Sequence, residues 1–567
     1  MNNKNTDWKE SVIYQIYPRS FQDSNGDGVG DLKGIISRLP YLEELGVNMI
    51  WLCPVYDSPN DDNGYDIRDY FSIMKEFGTI EHMLELINEA KKRNISIIMD
   101  LVANHTSDEH PWFLESRSKK DSDKRNWYIW KPEKNGKEPT NWESIFGGSA
   151  WEYDKATKEY YLHAFSKKQP DLNWENPEVR EAIYFIMNWW LDKGIAGFRL
   201  DAITFLKKNQ QYPELVTIEN RPYSPASNVW LNQPGIMEFL QEMKERVLKP
   251  RGVVTVAEAP GVPVNMVKEY LDEENGVFNM IFQFDHTEVD IKDMNRGQLR
   301  QWKLTEFKDA LSQWQMETED FGWMALFLEN HDSVRSVSKY GNDKEYRIEA
   351  SKMLASYYML MRGTPFIYQG QEIGMTNCVF NNIDEYKDVD SHNLYRIECL
   401  NGKNKSEIMN YLSKRGRDHG RTPMQWDKSH MAGFTSGSPW IKVNPNYETI
   451  NVEQALIDEN SILNYYKKLI KLRKENKALI YGSYKDIFKT SNEIGGYVRS
   501  YEKEKWVVIC NFTEHEVNIT EIENEFLVLS NYKNNEKNNL KAYESRIYKI
   551  PSNKFIEIKF QLRQEQI

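Results

Sequence analysis

Cysteine is scarce in this chain: four among 567 residues, at Cys53, Cys378, Cys399 and Cys510, with no Cys-x-x-Cys pair. That excludes a disulfide framework and a cysteine-built zinc site, and it suits a reducing compartment. Positive charge is also in deficit, 73 Lys and Arg against 85 Asp and Glu for a net charge of −12, which argues against a nucleic-acid or anionic-membrane partner. Long apolar runs are missing. Met353–Met361 is stopped by Lys352 and Arg362, well short of the roughly 18 residues a membrane span needs. The N-terminus, Met-Asn-Asn-Lys-Asn-Thr-Asp-Trp-Lys-Glu, has no apolar core of the kind a signal peptide carries. With 30 glycines and 21 prolines the chain is neither collagen-like nor of low complexity. The expectation is a soluble, cytoplasmic, multidomain globular protein, monomeric or weakly homo-oligomeric.

Hydrophobic residues make up 40% of the chain and charged residues 28%, enough to bury a large core. Over the first 375 residues, short β-branched or aromatic runs alternate with amphipathic helical patterns. The runs are Val12–Tyr17, Asn48–Leu52, Ile95–Val102, Gly197–Ile203, Val253–Glu258, Val277–Phe284, Met324–Glu329 and Pro365–Gln369. Leu32–Leu45, Ile80–Lys92, Glu178–Leu191 and Met237–Val247 show the i, i+3/i+4 spacing of helices. Eight strands with helical crossovers fit a (β/α)8 TIM barrel, although an open doubly wound sheet gives the same alternation.

Two stretches break the rhythm. Residues 104–174, rich in Trp, Lys, Asp and Ser, are too long for a simple loop and predict a subdomain inserted after the third strand. From 481 to 567 the alternating segments Gly496–Tyr501, Lys505–Asn511, Glu516–Ile519, Arg546–Ile550 and Phe555–Phe560 predict a C-terminal antiparallel β-sandwich domain. The barrel domain is then residues 1–103 and 175–480.

Barrel active sites form at the C-terminal ends of the strands. Four apolar runs end in acidic groups there: Asp100, Asp201, Glu258 and the pair His331-Asp332. One such acid is commonly structural, but several converging on one cavity are costly unless their pKa values are put to use. Separately, Asp23-Ser-Asn-Gly-Asp-Gly-Val-Gly-Asp31 places side-chain oxygens at 23, 25, 27 and 31. That alternate spacing suits an oxygen-seeking cation, although it lacks the closing glutamate of an EF-hand.

The segments Asp-Leu-Val-Ala-Asn-His (100–105), Gly-Phe-Arg-Leu-Asp-Ala (197–202), Val-Ala-Glu-Ala (256–259) and Glu-Asn-His-Asp (329–332) stand in this order after the third, fourth, fifth and seventh strands. Tyr-Gln-Ile-Tyr-Pro-Arg-Ser-Phe (14–21), Asp-Asn-Gly-Tyr-Asp (62–66), Gln-Pro-Asp-Leu-Asn-Trp (169–174) and Arg-Thr-Pro-Met-Gln-Trp (421–426) accompany them. With this ordered set the chain resembles the α-amylase superfamily of retaining α-glycoside hydrolases, and within it the oligo-1,6-glucosidase and α-glucosidase group. The resemblance implies Asp201 as nucleophile, Glu258 as general acid/base and Asp332 as third carboxylate. It implies that His105 and His331 grip sugar hydroxyls, that Asp62 and Tyr65 form the wall and platform of the terminal glucose site, and that Arg417 pairs with Asp62, with Arg415 and Arg421 as neighbouring alternatives. Phe165 and Gln169 would line the same pocket. Arg199, on the same strand face as Asp201, would lower that acid's pKa. A wall behind one sugar implies cleavage from the non-reducing end of a small oligosaccharide. The resemblance also implies a structural Ca²⁺, or Mg²⁺, on Asp23, Asn25, Asp27, Val29 and Asp31.

Linkage preference is the finer question. In this group valine after the nucleophile accompanies α-1,6 cleavage, whereas smaller residues accompany α-1,4 cleavage. Here the residue is Ala202, and Ala259 follows Glu258. The expectation from these two alanines is an α-1,4 lean toward maltose and malto-oligosaccharides, with an oligo-1,6-glucosidase as alternative, then a sucrose isomerase or trehalose-6-phosphate hydrolase. A non-catalytic transporter scaffold is disfavoured by the intact carboxylates.

Overall fold

The computed structural model describes residues 8–217, 221–292, 297–519, 524–536 and 538–551. Eight of the apolar runs become strands of one parallel sheet: β1 (Ile13–Ile16), β2 (Met49–Leu52), β3 (Ser96–Val102), β4 (Gly197–Asp201), β5 (Val254–Glu258), β6 (Met280–Phe282), β7 (Ala325–Leu326) and β8 (Thr364–Tyr368). Their hydrogen-bonded order is β6-β5-β4-β3-β2-β1-β8-β7, and a parallel bridge between Ile281 and Met324 joins the two ends. The sheet is therefore a barrel, which settles the ambiguity left by counting strands.

Alternation along each strand sorts side chains into two cores. Ile13, Met49, Trp51, Ile98, Val254, Val256, Met280, Phe282 and Phe366 point inward and fill the barrel. Tyr14, Ile16, Ile50, Leu52, Ile97, Met99, Phe198, Leu200 and Ile281 point outward against the helices. The helices begin and end where capping chemistry allows. Leu32–Leu45 starts at Asp31, whose carboxylate accepts from Gly34 N, and stops at Gly46 with φ 95°, a left-handed conformation glycine adopts without penalty. Pro177–Lys193 starts at Asn176 and stops at Gly194 in the same way.

Between β3 and β4 the chain adds a three-stranded antiparallel sheet (Trp130–Lys131, Glu159–Leu162, Trp151–Asp154). A buried cluster ties this excursion to the barrel. Lys208 Nζ, on the segment after β4, lies 2.8 Å from Asp171 Oδ2 and donates to Asn104 Oδ1 at 2.6 Å. After β8 come helices the periodicity did not single out, among them Val389–Leu400, Lys405–Arg415 and Ile462–Glu475.

The C-terminal region forms a five-stranded antiparallel sheet of β9 (Ser483–Asp486), β10 (Ile494–Tyr501), β11 (Glu504–Asn511), β12 (Leu527–Ser530) and β13 (Ser545–Pro551). Trp506, Val508 and Cys510 of β11 join the main core. Val507 and Ile509 face the other way, against the ribbon Val517–Asn518 and Asn539–Leu540. The expected strand Phe555–Phe560 lies outside the described residues. No helix among the described residues is long and apolar enough to cross a membrane.

Candidate active site

Following the inward-facing positions up the barrel, the apolar filling gives way to charge in the last layer. Arg199 of β4 is in register with Asp100 of β3, and Asp201 and Glu258 end their strands on the same side. The Arg199 guanidinium, 2% exposed, is shared by three carboxylates. Its Nη1 donates to Asp100 Oδ1 at 2.5 Å and to Asp201 Oδ1 at 2.6 Å, and its Nη2 lies 2.7 Å from Glu258 Oε2. Glu258 Oε2 also accepts from Ala202 N at 2.9 Å, which the left-handed backbone of Ala202 (φ 44°) presents to it. Trp51 Nε1 holds Asp100 Oδ2 at 2.8 Å.

A second cluster faces the first. Arg417 spans Asp62 Oδ1 (3.1 Å), Asp332 Oδ1 (3.0 Å) and both oxygens of Asp388 (2.6 and 2.8 Å). Arg421 adds bonds to Asp332 Oδ1 (2.8 Å) and Asp388 Oδ1 (3.2 Å). His331 connects the clusters: its Nδ1 meets Gln15 Nε2 at 2.8 Å, and its Nε2 meets Tyr65 Oη at 2.6 Å and Asp332 Oδ2 at 3.1 Å. Tyr65 stacks on the His331 ring at 5.2 Å. Gln169 Nε2 donates to Asp62 Oδ2 at 3.0 Å and lies 3.1 Å from His105 Nε2.

These surroundings separate the acids. Burial pushes Asp201 up to about 6, with Asp100 adding to the rise and Arg199 opposing it. Burial likewise raises Glu258 to about 7, helped by the charges of Asp201 and Asp332. The expectation that Arg199 would lower Asp201 is thus half right: the arginine pulls downward, but desolvation and a third carboxylate on the same guanidinium outweigh it. Burial raises Asp62 to about 7 against the pull of Arg417. Asp332 goes the other way: burial would raise it, but His331, Arg417 and Arg421 together hold it well below the usual carboxylate range. Burial lowers His105 to about 4, so that ring is neutral near pH 7; burial also lowers His331, with Asp332 opposing the shift.

Residues 15–482 match the model of the α-amylase catalytic domain. The chain belongs to the α-amylase family. It is 52% identical over 551 residues to an oligo-1,6-glucosidase of Halalkalibacterium halodurans, spanning 95% of this chain and 98% of that relative. Among solved structures it superposes on the isomaltulose synthase of Erwinia rhapontici NX5 with TM-score 0.92 and 41% identity, covering 97% and 100% of the two chains. The trehalose-6-phosphate hydrolase of Bacillus licheniformis gives 0.89 and 43%, covering 96% and 100%.

These family relatives overturn the α-1,4 lean, since the 52% identical relative carries an oligo-1,6-glucosidase name. The structure supplies the physical reason that two alanines misled. Ala202 does line the pocket, but one methyl group there is worth only about 1–3 kcal/mol. Ala259 is packed in the main core and does not line the pocket. Ile145, Phe146, Phe205, Leu231 and Pro260 line the same pocket, so Ala202 is one of several residues that shape it.

Of the residues expected at the site, Asp62, Tyr65, His105, Phe165, Asp201, Ala202, Glu258, Asp332 and Arg417 line one cavity of about 350 Å³. Arg199, His331 and Gln169 sit directly behind it, reaching its wall through the hydrogen bonds above. Among the three arginine alternatives, Arg417 takes Asp62, Arg421 sits behind Asp332, and Arg415 bonds Glu288 and Asp290 instead. The sequence reading missed Asp388, which is buried and bound to both arginines, because nothing in its spacing sets it apart. It also missed Gln15 and Trp51, whose positions in β1 and β2 read as ordinary core.

The loop 23–31 lies elsewhere, packed against residues 434–440. Asp23 Oδ1 accepts from Asn25 N and Gly26 N, and Asp23 Oδ2 accepts from Gly28 N and Thr435 Oγ1. Asn25 Oδ1 and Asp27 Oδ1 each accept the amide two residues on, the Asx-turn pattern. Asp31 bonds Ser24 and caps the following helix. Among the described residues no group of three or more His, Cys, Asp or Glu side chains is assembled for a metal.

Proposed function

We propose that this protein is a retaining oligo-1,6-glucosidase that releases glucose from the non-reducing end of short α-1,6-linked glucosides. The observation that carries the reading is the single guanidinium of Arg199 gripping both Asp201 and Glu258 through adjacent nitrogens. Two carboxyls on one guanidinium are close neighbours, which supports a retaining mechanism, where the pair works at about 5–5.5 Å. Asp201, with the lower pKa, attacks the anomeric carbon as the carboxylate. Glu258, with the higher, protonates the leaving oxygen and then, as a base, activates the water that releases glucose. Asp332, held ionised, bonds sugar hydroxyls more strongly as the ring distorts toward an oxocarbenium ion. Asp62 and Arg417 end the pocket behind one glucose, which makes the enzyme exo-acting. The α-1,6 preference rests on the name of the 52% identical relative.

The same proposal places the enzyme in the cytoplasm, where four free cysteines are tolerated. It seats a structural Ca²⁺ on the loop 23–31, with Asp23, Asn25, Asp27, Val29 and Asp31 as the ligand residues. The alternate spacing of oxygen-bearing side chains at 23, 25, 27 and 31 is what supports this. Calcium would then raise the unfolding temperature in wild type and not in Asp27→Ala; equal response of both sinks the site.

The deciding experiment is turnover of isomaltose and maltose by the purified protein beside an Asp201→Asn control, with the anomer of released glucose followed by NMR. Faster isomaltose cleavage with α-glucose released first supports the reading. Faster maltose cleavage, or inversion, defeats it.

A further inference from the structure

Asp388 immediately precedes the helix Val389–Leu400, the position where an aspartate ordinarily caps a helix by accepting one of its first free amides. Its side chain makes no such bond. The carboxylate is fully buried and turned to a segment 29 positions further on. There Arg417 Nε and Nη2 meet its two oxygens at 2.8 and 2.6 Å, and Arg421 Nη1 meets one of them at 3.2 Å. The second segment returns the arrangement. Asp418, also fully buried, accepts from Lys387 N at 2.6 Å, Asp388 N at 3.1 Å and Ser391 Oγ at 3.0 Å. Segments 387–391 and 417–421 thus each give the other a carboxylate, across an excursion that contains the helices Val389–Leu400 and Lys405–Arg415.

The donors of a guanidinium lie in one fixed plane. The two-point bond to Asp388 takes one edge of Arg417 and sets that plane. Nη1 is then left on Asp332 Oδ1 at 3.0 Å, and Nη2 is shared with Asp62 Oδ1 at 3.1 Å. Charge balance alone does not require Asp388, since Asp62 and Asp332 already match Arg417 and Arg421 one for one. Asp388 and Asp418 stand behind the residues that line the catalytic cavity, so each acts through the arginine. We propose that Asp388 and Asp418 are positioning residues, a reciprocal clasp that aims Arg417, and with it Asp62 and Asp332, at the hydroxyls of the terminal glucose. The inference rests on the part of the reading above in which those three groups hold that glucose.

In a pocket closed by Asp62 and Arg417 the nearest hydroxyl is the one on C4, opposite the anomeric carbon. The test therefore compares kcat/KM for p-nitrophenyl α-glucoside and its 4-deoxy analogue in wild type, Asp388→Asn, Asp388→Glu and Asp418→Asn, with circular dichroism of each. Asp388→Asn keeps the size and removes the charge. It should lose about thirtyfold on the glucoside, as a misplaced charge-assisted hydrogen bond costs, and about threefold or less on the analogue, which has no C4 hydroxyl to misplace. Asp418→Asn should show the same selective loss, and Asp388→Glu should recover part of the activity. A merely structural role would lower both substrates alike. Equal loss on the two substrates, or no loss, overturns the clasp while the glucosidase reading stands. If Asp388→Asn does not fold, Asp418→Asn decides by the same ratio. A wild type that cleaves neither glucoside defeats the glucosidase reading and the clasp with it.

Discussion

Two arginine-centred clusters face each other across one pocket, and they do opposite things to their acids. Around Arg199, one cation serves Asp100, Asp201 and Glu258. Negative charge is in excess, burial wins, and the acids rise to about 6, 6 and 7. Around Arg417 and Arg421, Asp332 and Asp388 each bond both cations and are held low although burial opposes it, whereas Asp62, which bonds Arg417 alone, is raised by burial to about 7. The number of guanidinium groups each carboxylate bonds thus separates the acids that can exchange protons near neutrality from those that stay charged. The first arrangement suits bond making and breaking; the second suits gripping hydroxyls.

The sharpest way to break this contrast is to remove an acid from the cation-poor side. Asp201→Asn should lower kcat by about 10⁴-fold or more, as loss of a nucleophile does, with circular dichroism unchanged; a loss under tenfold ends the assignment. Next in size, Arg417→Ala strips the cation-rich side of one charge and leaves Asp62 and Asp388 less well paired. It should cost about 2–5 kcal/mol in kcat/KM, the range for breaking a buried charge pair. Steady-state kinetics within threefold of wild type would show that the cluster is not a substrate grip.

The pH profile sharpens the comparison further. Asp201 must be ionised, so activity falls as pH drops through about 6. Glu258 must be protonated, so activity falls as pH rises through about 7. The log kcat/KM curve should be a narrow bell between those limits, and Asp100→Asn, by removing a charge that raises Asp201, should move the acid limb to lower pH. An acid limb that stays put or moves upward contradicts this. The smallest effect belongs to Ala202→Val, which should raise the isomaltose-to-maltose ratio of kcat/KM by about tenfold or less. A fall in that ratio would mean the position does not act on linkage as its place in the pocket suggests.

Much of this was legible before any coordinates. The inward and outward alternation of Ile97–Asp100 and of Phe198–Asp201 is a property of extended chain, so the acids at strand ends could be read directly. Helix limits were readable at Leu32–Leu45 because Asp31 and Gly46 carry their own start and stop chemistry. Asp388 and Gln15 were not readable, since each acts only through partners 29 to 316 positions away. Linkage preference was misread for a related reason: the pocket around Ala202 is also lined by Ile145, Phe146, Phe205, Leu231 and Pro260, and no single position stands for that lining.

The sequence alone determined the eight-strand alternation, the ordered acidic motifs and the membership of a glycosidase family, because these follow from local periodicity and residue type. Only the tertiary structure decided how many arginines each carboxylate shares, and hence which acids titrate near neutrality. Sharing a charge is a matter of distance across the barrel mouth, and the spacing of residues along the chain does not set that distance.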